Sequence, residues 1–168
     1  EITRQMGGNK RKAGPLAFSR DGKLLVSGGY DKIVRLWDVS SGALQFALED
    51  GVGEPSSVAF SPDGEILVTT NGDTTIRIWN ARTGKLLRTI DELPLVTFTV
   101  AFSPDGKMLA TSGADRTIHL WDTNTWKVVR SLSGQMEMVS HLAFSPDGTT
   151  LMSGGASEFT GKRPVEVR

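Results

Sequence analysis

The tripeptide Ala-Phe-Ser occurs four times, beginning at Ala17, Ala59, Ala101 and Ala143, each start 42 residues after the one before. No insertion or deletion separates these anchors, and four periods equal the 168 residues of the chain. A fixed period of this length demands one supersecondary unit, repeated and stacked on its neighbours, in place of one irregular core. The repeat anchors are Phe18, Phe60, Phe102 and Phe144, and they place residues 1–168 in one segment.

The second copy shows what one period contains. Ser57 to Phe60 is a short first strand, and Ser61-Pro62-Asp63-Gly64 stops it with turn chemistry: Pro presets φ, Asp bonds its own backbone and Gly accepts positive φ. Ile66 to Thr69 reads as a second strand, with Asn71-Gly72-Asp73 as the next hairpin. Ile76-Arg77-Ile78-Trp79 alternates apolar and polar residues as a third strand, and Thr83-Gly84 turns the chain into a fourth, Lys85 to Ile90. Each period is thus four short antiparallel strands. Such a sheet is apolar on both faces and cannot bury them alone. Radial stacking of the units buries both, so the fold expected is an all-β propeller of four-stranded antiparallel blades, about four in this chain. A sandwich or closed barrel would not require the same turn chemistry at four identical spacings.

At Leu36-Trp37-Asp38, Ile78-Trp79-Asn80 and Leu120-Trp121-Asp122 the chain resembles the WD-repeat (WD40) family of β-propellers, with an Asp six residues before each Trp. The resemblance covers essentially the whole chain, with the fourth copy incomplete. It implies a buried hydrogen-bonded network: Asp31 with Ser27 and Trp37, Asp73 with Thr69 and Trp79, Asp115 with Thr111 and Trp121. The family's fourth member, a His, is absent; Asn9, Gly51, Leu93 and Gln135 stand at its positions. The carboxylates therefore need other donors, such as backbone N–H groups or water. Arg35, Arg77 and His119 share one third-strand position, which reads as a polar blade-surface site.

In the fourth copy the Asp position holds Ser157, and a hairpin of Glu158 to Lys162 breaks the repeat with Phe159 at its tip. Aligned with about seven inserted residues, Arg168 continues the Arg35, Arg77 and His119 series and the blade looks cut. At the other end Glu1 to Met6 aligns as an isolated fourth strand. The expectation is a fragment of a larger ring, with a homodimer completing an eight-bladed ring as the alternative.

Chemistry is sparse. Lys+Arg and Asp+Glu both number 19, removing the strong electrostatic drive toward nucleic acid or anionic membrane. There is no Cys for a disulfide, a zinc knuckle or thiol catalysis. The only histidines, His119 and His141, lack ligand or acid–base spacing, and the glycines that end the second strands, read as turn glycines, lack phosphate-loop signatures. No catalytic residue, metal or cofactor is expected. The resemblance implies protein or peptide partners docking on the loop face, where Tyr30, Ser56, Phe98, Ala114 and Ser140 match its contact positions, with Phe98 and Tyr30 as anchors. Phe159 and, on the opposite face, Trp126 are further candidates. The function expected is a non-catalytic cytoplasmic scaffold for protein–protein interaction; the alternative is a sensor or regulatory propeller of a larger kinase or ATPase.

Overall fold

The computed structural model describes residues 13–49, 53–91, 93, 95–135, 138–155 and 165–166. Fifteen strands and no helix fill them. Blade 1 comprises β1 (Ala13–Phe18), β2 (Leu24–Gly29), β3 (Val34–Asp38) and β4 (Leu44–Leu48). Blade 2 comprises β5 (Pro55–Phe60), β6 (Ile66–Asn71), β7 (Ile76–Asn80) and β8 (Leu86–Ile90). Blade 3 comprises β9 (Thr97–Phe102), β10 (Met108–Gly113), β11 (Ile118–Asp122) and β12 (Lys127–Leu132). Blade 4 shows β13 (Val139–Phe144), β14 (Thr150–Gly155) and the short β15 (Val165–Glu166). Each sheet is an antiparallel meander in chain order, as the four-strand reading requires. The inner strands β1, β5, β9 and β13 pack each against the next.

The register repeats with the sequence. Leu25 lies opposite Trp37, Leu67 opposite Trp79 and Leu109 opposite Trp121. In blade 4 the partner of Leu151 is Val165, so Val165 takes the Trp place. This corrects the alignment that put Arg168 in the Arg35 series: strand pairing sets the register, and it starts β15's equivalence earlier. Glu1 to Met6 and Phe159 lie outside the described residues.

The Ser-Pro-Asp-Gly turns form as their chemistry dictates. Ser61 Oγ donates to Asp63 Oδ1, the Glu65 N–H donates to the same oxygen at 3.0 Å, and Gly64 takes φ +73°. The second-to-third hairpins differ from the Asn-Gly reading. The left-handed residue is not Gly72 but Thr74 (φ 68°), matched by Lys32 (67°) and Arg116 (58°). The preceding Asp supplies the reason: the Thr75 and Thr117 N–H groups bond the carboxylates of Asp73 and Asp115, closing an Asx turn whose middle residue is left-handed. The glycines that end the second strands are likewise not left-handed turn residues. A Cβ on Gly28 would lie 2.7 Å from the Pro55 ring of the next blade, so Gly serves there for close approach.

Burial is organised at the seams between blades. Val26, Val34, Leu36 and Leu48 of blade 1 meet Val58, Leu67, Trp79 and Ala81 of blade 2. One period on, Val68, Ile76, Ile78 and Ile90 meet Val100, Leu109 and Trp121. The third seam joins Ala110, Ile118 and Leu120 to Leu151. Every blade therefore has two apolar faces. The first face of blade 1 and the second face of blade 4 have no described neighbour: Leu16 is 60% exposed, Phe18 63% and Met152 59%. The repeat equivalents of Leu16 and Met152, Val58 and Val68, are buried, and Phe60, the equivalent of Phe18, is half-buried. The contrast gives a direct test. Val58→Ala should destabilise by about 2 kcal/mol, while Leu16→Ala should change stability by less than about 0.5 kcal/mol in urea unfolding. Equal losses at both positions would contradict the seam assignment.

Candidate interaction face and the network behind it

The expected network forms in two separate halves. In the inner half each third-strand Trp donates its indole N–H across to the second strand: Trp37 to Ser27 Oγ at 2.9 Å, Trp79 to Thr69 Oγ1 at 3.2 Å, Trp121 to Thr111 Oγ1 at 2.9 Å. All six residues are buried, so each bond satisfies a donor that would otherwise be stranded, and for Trp79 and Trp121 that donor lies in a seam between blades.

The outer half is where the structure departs from expectation. The carboxylates are held by the third-strand position read above as blade surface. Arg35 grips Asp31 with both ends of its fork, Nη1 to Oδ1 at 3.1 Å and Nη2 to Oδ2 at 2.8 Å. Arg77 reaches Asp73 Oδ2 at 2.8 Å, and His119 Nε2 donates to Asp115 Oδ2 at 2.7 Å. Arg35 and Arg77 are buried and His119 partly so. This corrects the surface reading. The signal was the four-residue step from each Asp to its Arg or His partner, spanning the hairpin so that both point to one side. Leu93, at one of the absent His positions, instead packs on the second core cluster.

One residue explains why Arg77 binds differently from Arg35. Thr75 donates its hydroxyl to Asp73 Oδ1 at 2.6 Å and so occupies the oxygen that Arg35 uses in blade 1, where Ile33 has no hydroxyl. Arg77 Nε and Nη1 are left without a hydrogen-bond partner among the described residues. Burial works to raise the Asp73 carboxyl's pKa, but the bonds from Arg77 and Thr75 outweigh it and hold it below the ordinary value. Removing one partner of a buried pair of this kind costs about 3–5 kcal/mol, because the other charge remains. The pairs thus clamp three hairpins.

On the loop face above these clamps, Tyr30 is 47% exposed, beside Gly14, where an added Cβ would lie 3.7 Å from the Tyr30 ring. Phe98 is half-buried on β9. Ser56 is committed elsewhere: its hydroxyl donates to the Thr97 carbonyl of the next blade at 2.7 Å and shares a bond with Thr70. Ala114 is anchored by its N–H to the Val96 carbonyl, and Ser140 Oγ lies 2.9 Å from His141 Nδ1. So of these loop-face candidates Tyr30 is exposed and Phe98 half-buried, while Ser56 acts as a link between blades. Trp126 lies apart, in the third-to-fourth-strand turn, with φ +55° where Gly42 and Gly84 have +74° and +68°. It packs against the second core cluster. Among the described residues no three His, Asp or Glu side chains group to hold a metal.

The family model described as "WD domain, G-beta repeat" matches residues 16–38, 49–80, 85–122 and 126–158. The first three segments each end on the Trp-Asp or Trp-Asn pair of a third strand. The chain therefore belongs to the WD40-repeat family, whose members commonly mediate protein–protein interactions. No curated protein matches it.

The turn carboxylates set an acid limit. Asp38 is lowered to about 2 by the hydroxyls of Ser40 and Ser41 and the Ser41 N–H, and Asp147 to about 2 by the Ser145 hydroxyl and Thr149. Asp21, Asp63, Asp73, Asp105 and Asp122 are also lowered from the ordinary 3.8. A carboxyl whose folded pKa lies below its unfolded one stabilises the fold above the unfolded value and loses that contribution as pH falls through the folded one. The urea midpoint should therefore hold from neutrality to just above pH 3.8 and fall progressively toward about pH 2. A midpoint unchanged across that window would refute the role given to these turns.

Proposed function

We propose that this chain is a non-catalytic protein-interaction module that presents its loop face to a protein or peptide partner. The observation that carries this reading is the pairing of a braced frame with an exposed aromatic: Asp31–Arg35, Asp73–Arg77 and Asp115–His119 brace the hairpins, and Tyr30 stands exposed beside them. A frame that does not reorganise loses little entropy when it binds, and Tyr and Phe bring large contact areas with few torsions to freeze. Tyr30→Ala and Phe98→Ala should each weaken a loop-face partner at least tenfold, with the thermal midpoint and the Trp indole signals unchanged. Full affinity in both variants, measured by calorimetry, would remove the loop face as the binding surface.

A second reading rests on the uncovered seam faces. Leu16 and Phe18 at one end and Met152 at the other are the halves of one further seam, so two copies could join end to end into an eight-bladed ring. Sedimentation should then return twice the monomer mass of 18.1 kDa. A monomer at micromolar concentration that binds a hydrophobic dye at those faces would count against it.

A further inference from the structure

The outer edge of the seam between blades 2 and 3 is built differently from its equivalent one period earlier. Between blades 1 and 2, Phe46 of β4 packs onto the core and covers the turn at Gly84, where an added Cβ would lie 2.8 Å from its ring. Forty-two residues later the Phe46 position holds Arg88 and the Gly84 position holds Trp126. The apolar plug has moved from the outer strand to the turn. Arg88 is exposed, its Nη1 reaching only the Thr125 carbonyl at 3.3 Å, and Trp126 leans onto the core cluster from the other side.

That exchange opens a cleft of about 550 Å³. Leu93, Trp121 and Trp126 supply its apolar wall, and Arg88, Lys127 and Asp91 stand at its rim. His119, which also lines it, is already bonded to Asp115 and Ser131. Trp126 also borders a second cleft of about 500 Å³ with Pro62, Ile66 and Phe102, so its ring forms a wall between two hollows. A bulky residue in the left-handed region is strained by roughly 1–2 kcal/mol, and the same turn is made without strain by Gly42 and Gly84. The turn itself does not need Trp.

We propose that this cleft is a second binding site, distinct from the loop face, for an extended acidic peptide. An apolar side chain of the ligand packs against Trp126 and Leu93, while a neighbouring Asp or Glu carboxylate meets Arg88 and Lys127. Among the described lining residues, two cations stand against one carboxylate, and that balance sets the sign of the ligand. Trp and Arg are the residue types that most often carry binding energy when they flank one pocket. β8 is the last strand of its sheet, so its outer edge offers backbone groups to an extended segment.

The repeat itself supplies the test variants. Trp126→Gly installs the residue of the other two turns, and Arg88→Phe installs the plug of the first seam. The probe is an immobilised set of peptides alternating Asp or Glu with Leu, Ile or Phe, and the strongest is measured by fluorescence anisotropy against the full chain. Saturable binding is expected, shifting the Trp126 indole resonance and weakened at least tenfold by each variant. Tyr30→Ala should leave it unchanged, which separates this site from the loop face. The proposal is overturned if no peptide binds saturably, if Arg88→Phe retains full affinity, if Lys-for-Glu peptides bind equally, or if only phosphorylated versions bind.

Discussion

Everything in this molecule depends on the contact between one sheet and the next. A four-stranded meander with two apolar faces has no inside of its own; it acquires one only as a neighbour covers each face. Val26, Leu36 and Leu48 are buried because Leu67 and Trp79 lie against them, and the same relation recurs one period later. Leu16 and Met152 show the converse: residues of core type stay exposed where no described blade faces them.

The seams also explain the placing of the polar residues. Packing the rings of Trp79 and Trp121 between sheets carries their indole N–H groups out of water, and the hydroxyls of Thr69 and Thr111 are what make that burial tolerable; Ser27 does the same for the buried Trp37. The Asp–Arg and Asp–His pairs lie at the margin of the same layer, where carboxylates can be both buried and matched. Thr75 shows how finely this is balanced, since one hydroxyl diverts an oxygen of Asp73 and converts a forked pair into a single bond.

The period, the four strands per unit and the Trp-to-Ser or Trp-to-Thr bonds were legible because each rests on local chemistry at a constant offset. The role of Arg35, Arg77 and His119 was not. A strand's alternation tells which side a residue points to, not whether a neighbouring loop covers that side. Gly72 misled for a related reason: Asn-Gly is a hairpin signal through glycine's backbone freedom, whereas here the Asp73 side chain dictates the turn. The register of β15 could not be read because an irregular insertion precedes it. Ser56 and Trp126 were visible as positions, but their tasks depend on partners in another blade.

The left-handed residues Lys32, Thr74 and Arg116 carry a last consequence. In each hairpin the backbone strain is met by the aspartate before it, so the tip has no need of glycine and can hold a side chain of any kind. One copy places a long cation there, the next a small hydroxyl, the third a guanidinium, on the same backbone trace. Conformation and chemistry are thereby uncoupled at the hairpin tips. Such a surface can change what it recognises by single substitutions without renegotiating its fold.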